Sequence, residues 1–189
     1  MRLSANPEVN KKYQIIYADP PWEWKTYSQK GREKTPDKHY PLMDIADLNS
    51  LPIDTIVADD CVLFMWTQDA HLKNAISLGE AWGFTFKTIG FVWDKQNFGM
   101  GYWTRKGAEI CLLFTKGHPK RLDAGVRQFI SERATEHSKK PSLIRNRIVK
   151  LMGDIPRVEL FARQKTEGWD VWGNEVECDI DLTKAESLG

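Results

Sequence analysis

Cysteine is scarce in this chain of 189 residues. Cys61, Cys111 and Cys178 stand far apart, with no CxxC pair and no Cys/His ligand cluster. An odd, scattered set excludes a disulfide framework and a zinc ribbon. It fits a reducing cytoplasm, with Cys61 and Cys111 as strand residues of the core. His39, His71, His118 and His137 have no metal-ligand spacing, so no metal is expected. No apolar run is long enough for a membrane span and no signal peptide is seen, so no membrane partner is expected. No GxGxxG follows a strand, so the common dinucleotide fingerprint is missing. Internal repeats and low-complexity segments are missing too. The formal net charge is only +1, which names no partner.

What is present reads as one globular domain. Hydrophobic residues make up 41% and charged residues 28%, enough for a sizeable core. The domain is expected to span 1–189, with its core at about 13–175 and an acidic tail over 176–189. Charge is unevenly spread. Lys116–Lys150 holds ten Lys/Arg against Asp123, Glu132 and Glu136. Lys25–Lys38 holds five against Glu33 and Asp37. Two basic segments in a neutral chain suit either a solvated face or a polyanion site.

Hydrophobic patterning predicts strands at Tyr13–Ala18, Val62–Trp66, Phe86–Asp94, Glu109–Thr115, Arg157–Ala162 and Trp169–Gly173. Helices are predicted at about Asp69–Trp82 and at Ser142–Met152, with Ser142 as candidate N-cap. Alternating strands and helices argue an α/β domain with a mostly parallel sheet. The gaps at 23–41, 95–106 and 117–141 are too long for plain connections and are expected to be functional loops.

The chemistry concentrates in "DPPW", Asp19–Trp22, at the end of the first strand. Ligands of open α/β sheets bind beyond the carboxyl ends of strands. Pro20 and Pro21 stiffen the backbone and keep carbonyl acceptors without N–H donors of their own. Asp19 adds a carboxylate acceptor, and Trp22 a flat face. Two acceptors and a stacking plate match a planar base carrying an exocyclic NH₂. That nitrogen is a poor nucleophile while its lone pair is delocalised into the ring. Acceptors for both protons push it toward tetrahedral geometry and free the lone pair for attack.

"DPPW" after an apolar strand resembles the motif of amino-methyltransferases acting on nucleic-acid bases. "GYWTRKGAEICLLFTKG" (Gly101–Gly117), "HSKKP" (His137–Pro141), "VELFAR" (Val158–Arg163) and "GWDVWGNE" (Gly168–Glu175) follow in order. Together they are similar to the MT-A70-like family of adenine-N6 methyltransferases, the messenger-RNA adenosine methyltransferase type, over roughly 13–175. The resemblance implies a Rossmann-like class I methyltransferase sheet with helices on both faces and a permuted motif order. It implies S-adenosylmethionine as methyl donor. Asp19 would lie near the methionine amino group as well as the base. Lys140 would meet the methionine carboxylate, and Arg163, Asn174 and Glu175 the adenosine part. Where the messenger-RNA enzymes have His-Asn and Gln, this chain has Lys165-Thr166 and Glu175.

The substrate expected from this reading is nucleic acid, DNA rather than RNA, since a small chain without eukaryotic extensions looks bacterial or phage-derived. With no room for a separate target-recognition domain, short or loose sequence specificity is expected. A base in a duplex must be flipped out or already unpaired to reach a strand-end pocket. Trp22, Lys30, Arg32, Lys34, Trp103 and Glu109 are the candidate substrate contacts. A homodimer is left open. The rivals are an RNA adenine methyltransferase, a non-catalytic nucleic-acid-binding relative and a cytosine amino-methyltransferase. The last often carries Ser in place of the first Asp, so Asp19 favours adenine.

Overall fold

In the computed structural model, residues 11–22, 43–101, 103–134 and 139–182 are described. Strands β1 (Tyr13–Ala18) and β2 (Val57–Thr67) lie side by side and parallel, with Ala18 beside Met65. The apolar runs Ile15–Ala18 of β1 and Cys61–Trp66 of β2 are unbroken because both faces of the sheet are covered there. Ile15, Tyr17, Val62, Phe64 and Trp66 turn to one layer, and Ile16, Ala18, Leu63 and Met65 to the other. Helix α3 (Leu143–Met152) covers the first layer with Ile144, Ile148 and Met152. Helices α1 (Ile45–Asn49) and α2 (Leu72–Ala81) cover the second with Leu48, Ala75 and Leu78. Each such buried aliphatic side chain contributes about 1.5–3 kcal/mol. Helix α2 sits close because Gly79 has no side chain: a Cβ there would lie 2.3 Å from the Phe114 ring.

The remaining strands are β3 (Thr85–Gly99), β4 (Lys106–Lys116), β5 (Phe129–Ser131), β6 (Arg157–Leu160) and β7 (Asp170–Trp172). One seven-stranded sheet results, in the order β5-β3-β4-β2-β1-β6-β7. Strand β4 runs against its neighbours β2 and β3, while every other pairing is parallel. The α/β class, the mostly parallel sheet and helices on both faces agree with a Rossmann-like methyltransferase fold.

Several local expectations change. The loop expected at 95–106 is largely the far end of the β3–β4 hairpin, whose pairing continues to Gly99 and Lys106. The loop at 117–141 contains β5, a third strand-length of ladder beside β3. Residues Asp69–His71 form a 3₁₀ turn, and α2 begins only at Leu72. Ser142 takes a helical conformation and its hydroxyl makes no capping bond. Strand β6 stops at Leu160 because Phe161 turns to φ +62°, a left-handed value that ends a ladder. The short α1 lay in a stretch with no assigned element. Its signal was Asp44, whose carboxylate accepts from Asp47 N–H at 2.7 Å as an N-cap does.

The chain does not become a solvated tail at 176. Asp179 docks on β7: its N–H donates to Val171 C=O at 2.9 Å, and its carboxylate accepts from Val171 N–H at 3.0 Å. Leu182 is then buried among the α2-side core. Leu182→Ala is expected to cost about 2–5 kcal/mol, the usual range for a buried leucine. Urea unfolding measures it. A change below 0.5 kcal/mol would mean this segment contributes no core.

Candidate active site

The register of the sheet sets out the site. Ala18 pairs with Met65 on one side and Leu160 on the other, and Leu160 pairs with Trp172. Asp19 therefore leaves the carboxyl edge beside Phe161–Arg163, with Gly173–Glu175 one strand further. Four charges converge there. Lys140 Nζ lies 2.7 Å from Asp19 Oδ2 and 3.2 Å from Glu109 Oε2. Glu109 Oε1 in turn accepts from Lys95 Nζ at 2.8 Å. Side-chain exposures of 8% for Lys140 and 5% for Glu109 make them the buried middle of the chain, with Asp19 at 28% and Lys95 at 29% as its two more accessible ends.

Burial alone would neutralise these groups. It raises the Glu109 pKa, but Lys140 and then Lys95 outweigh it and hold the carboxyl below the usual 4.5. Burial likewise opposes the Lys140 charge, and Asp19 and Glu109 overcome it and raise its pKa. The Lys140 ammonium also stands 5.5 Å over the Trp66 ring. Two cations and two carboxylates leave the cluster neutral as a whole.

Trp22 is only 7% exposed. Its indole N–H donates to Trp66 C=O at 3.1 Å, and its ring stacks on His71 at 5.7 Å and 11°. Burial, then Lys106, lowers the His71 pKa and keeps that ring neutral. The Pro20 carbonyl accepts Trp22 N–H at 2.9 Å, so the expectation that both proline carbonyls stand unengaged is corrected. A carbonyl has two lone pairs, and Pro20 keeps one for a ligand. Trp66 donates its own N–H to Tyr17 Oη at 2.7 Å. Behind Tyr17, Arg145 makes a two-point contact with Glu159 and lies 5.4 Å from the Tyr17 ring. The DPPW turn thus rests on a packed aromatic floor.

On the other side of Asp19 the backbones of the two strand ends touch. Ala162 N–H donates to Trp172 C=O at 3.0 Å, and a Cβ on Gly173 would fall 2.1 Å from Ala162 O. Only glycine permits that approach. It brings Arg163 and Glu175 face to face, Nε to Oε1 3.8 Å, both partly exposed. Asn174 is exposed beside them. Guanidinium, amide and carboxylate side by side suit ribose hydroxyls and a base edge.

Of the substrate contacts read from sequence, Glu109 is inside the charge cluster. Trp103 is 91% exposed at the hairpin end. Lys30, Arg32 and Lys34 lie outside the described residues. The basic segment 116–150 is not a single open face: Lys140 is buried, Arg145 is paired with Glu159, and Arg147 donates to the Arg127 and Phe129 carbonyls. Sequence reasoning missed Lys95, Trp66, Tyr17, His71 and the Arg145–Glu159 pair. Glu109 within an apolar strand was the available signal, since a buried carboxylate requires a cation. Among the described residues no group of three His, Cys, Asp or Glu is placed to hold a metal.

Comparison with known proteins gives the same direction. The MT-A70 family profile matches residues 13–175. The chain is 39% identical over 183 residues to the type II methyltransferase M.MunI of a Mycoplasma species, covering 88% of this chain and 78% of that protein. It is 26% identical over 179 residues to an N(6)-adenosine-methyltransferase MT-A70-like protein of Drosophila melanogaster. To the human N(6)-adenosine-methyltransferase catalytic subunit METTL3 it is 25% identical over 179 residues. Those two alignments cover 88% of this chain but only 27% and 28% of the longer relatives.

The charge cluster makes a prediction. A carboxyl whose folded pKa is depressed stabilises the fold above its ordinary value of 4.5, and that contribution is lost as pH falls through the lower folded value. Glu109→Gln is expected to cost roughly 1.5–3 kcal/mol at pH 7, the range for a hydrogen bond to a charged group. The gap between variant and wild type should close on acidification below 4.5. Urea midpoints from pH 7 to pH 3 test this. A gap that does not change with pH would place Glu109 outside the cluster.

Proposed function

Because the chain belongs to the MT-A70 family of adenine-N6 methyltransferases, we propose that it moves a methyl group from S-adenosylmethionine to the N6 amine of adenine in DNA. The observation that carries the reading is the Lys140–Asp19 ion pair at the carboxyl end of β1, beside the Pro20 carbonyl. DNA is favoured over RNA by the 39% identity to a relative named as a type II methyltransferase.

The residues present fit the cofactor. Lys140 is the cation for its carboxylate, and Asp19 the anion for its ammonium. Arg163, Asn174 and Glu175 would meet its adenosine part, beside the close approach of Gly173 to Ala162. When bound, the cofactor supplies an electrophilic methyl carbon on a sulfonium. Asp19 and Pro20 C=O accept the N6 protons of the base. The nitrogen lone pair would thereby be directed outward, toward the methyl carbon that the cofactor would supply, and the N6 proton released would pass to the Asp19 carboxylate or to water. Glu109 keeps Lys140 compensated while Asp19 serves the ligands. Trp22 is buried and stacked on His71 on one face, so its part would be to shape the base site.

Asp19→Ala should lower methyl transfer by 10²–10³, as removal of one well-placed transition-state group does, about 2.7–4 kcal/mol. Labelled cofactor with matched DNA and RNA, single- and double-stranded, followed by identification of the methylated nucleoside, is the measurement. N6-methyladenine from DNA supports the reading. The same product from RNA only, or 4-methylcytosine, would replace it with one of the rivals. No cofactor binding at all would make the chain a non-catalytic relative.

A further inference from the structure

Large apolar side chains stand in water at the end of the β3–β4 hairpin. Phe98 is 79% exposed, Met100 83% and Trp103 91%. Strand β2 ends at Thr67, paired with Ile110, but β3 and β4 continue pairing as far as Gly99 and Lys106. Four residues of β4 therefore project beyond the sheet edge, about 14 Å at the rise of an antiparallel strand. Left-handed conformations at Gln96 and Gly101 shape the far end. The hairpin is wired to the pocket at its root. Lys95 and Glu109 belong to the charge cluster. Lys106 bonds the Gln68 side chain and acts on His71, the ring stacked on Trp22.

We propose that this hairpin end is a wedge for base-paired DNA: Phe98, Met100 and Trp103 enter the base stack where the target adenine has left it. The inference rests on the functional reading above and adds the duplex as substrate. Charge favours a nucleic acid. Beyond Lys95, which Glu109 balances, residues 96–107 carry Arg105 and Lys106 and no carboxylate. Shape agrees, since the major groove admits a two-stranded ribbon. Size argues against a protein partner. Aromatic side chains bury roughly 150–250 Å² each, and three side chains fall short of the ~800 Å² per partner of a stable protein interface. Chemistry supplies the need: a base extruded from a duplex loses its stacking, and apolar side chains inserted between base steps are a known way of holding such a gap.

The test uses the full chain, wild type and Phe98→Ser/Met100→Ser. Both are assayed with labelled cofactor on the same unmethylated genomic DNA, native and heat-denatured. The ratio of native to denatured activity should fall about tenfold in the variant, because only the native substrate has to be opened. An unchanged ratio overturns the wedge. Relaxation of a closed circular plasmid by topoisomerase in the presence of each protein gives a readout independent of activity. Wild type should leave the plasmid more underwound than the variant does, since the variant keeps only Trp103 of the three; equal topoisomers overturn the wedge. A wild type that methylates neither DNA form sinks the functional reading instead, and the plasmid assay still decides on the wedge. Sedimentation of both proteins covers the remaining occupant. A dimer that becomes a monomer in the variant would assign the hairpin end to a second copy of this chain and overturn the proposal.

Discussion

The Lys140 ammonium is the point on which the site depends. It is almost excluded from water and balanced by Asp19 and Glu109. A cation in that position has no stable alternative to its partners, since an unpaired buried charge costs several kcal/mol. The ion pairs therefore fix the relative positions of four pieces of chain: the end of β1, strand β4, the far half of β3 through Lys95, and the segment entering α3. None of these is close to all the others in sequence. Charge, rather than hydrophobic contact, holds the polar mouth of an otherwise apolar sheet. It does so without net charge, so the mouth can take up a zwitterion or a neutral base without a large electrostatic bias.

Beneath this mouth the aromatic floor does the mechanical part. Trp22 hangs from the Trp66 carbonyl, Trp66 from Tyr17, and Tyr17 sits under the Arg145–Glu159 pair. Each indole N–H in that chain has a partner, as buried donors require. The floor leaves little freedom to the DPPW turn. Such rigidity suits a step in which acceptors must be in place before the amine arrives, because preorganised dipoles need no reorganisation during reaction.

Much of this was legible from the residues. The apolar patterns of Tyr13–Ala18 and Val62–Trp66 announced the two central strands. "DPPW" at a strand end announced acceptors at the sheet edge, and the motif order pointed to the family. Lys140 was placed by resemblance, and its contact with Asp19 follows from the fold. Other features carry no local signal. The reversed direction of β4 depends on the hairpin, whose glycines and polar residues read equally well as a loop. The partnership of Lys95 with Glu109 spans a β-ladder whose register slips between Asp94 and Gly99. Trp22 read as an open plate because aromatic chemistry does not say which face is already taken; His71 takes one. The segment after Glu175 read as a tail because its acidic residues mask one apolar anchor, Leu182.

Where backbone strain falls is consistent with this division of labour. Phe161 adopts a left-handed φ at the end of β6, and Gly173 brings the end of β7 against Ala162. A non-glycine residue in that region is held at a cost of order 1–3 kcal/mol and persists only where the surroundings over-determine it. Here the surroundings are the Ala162–Trp172 hydrogen bond, the edge-on contact of Phe161 with Trp172, and the docked Asp179. The strained turn also carries Arg163 out of the ladder to meet Glu175. Had β6 continued straight to Ala162, the ladder would have occupied the edge where Arg163 and Glu175 now meet. Of the two left-handed non-glycine residues described, Phe161 is thus the one that ends a strand early, and the segment from 176 to 182 is part of what sustains it.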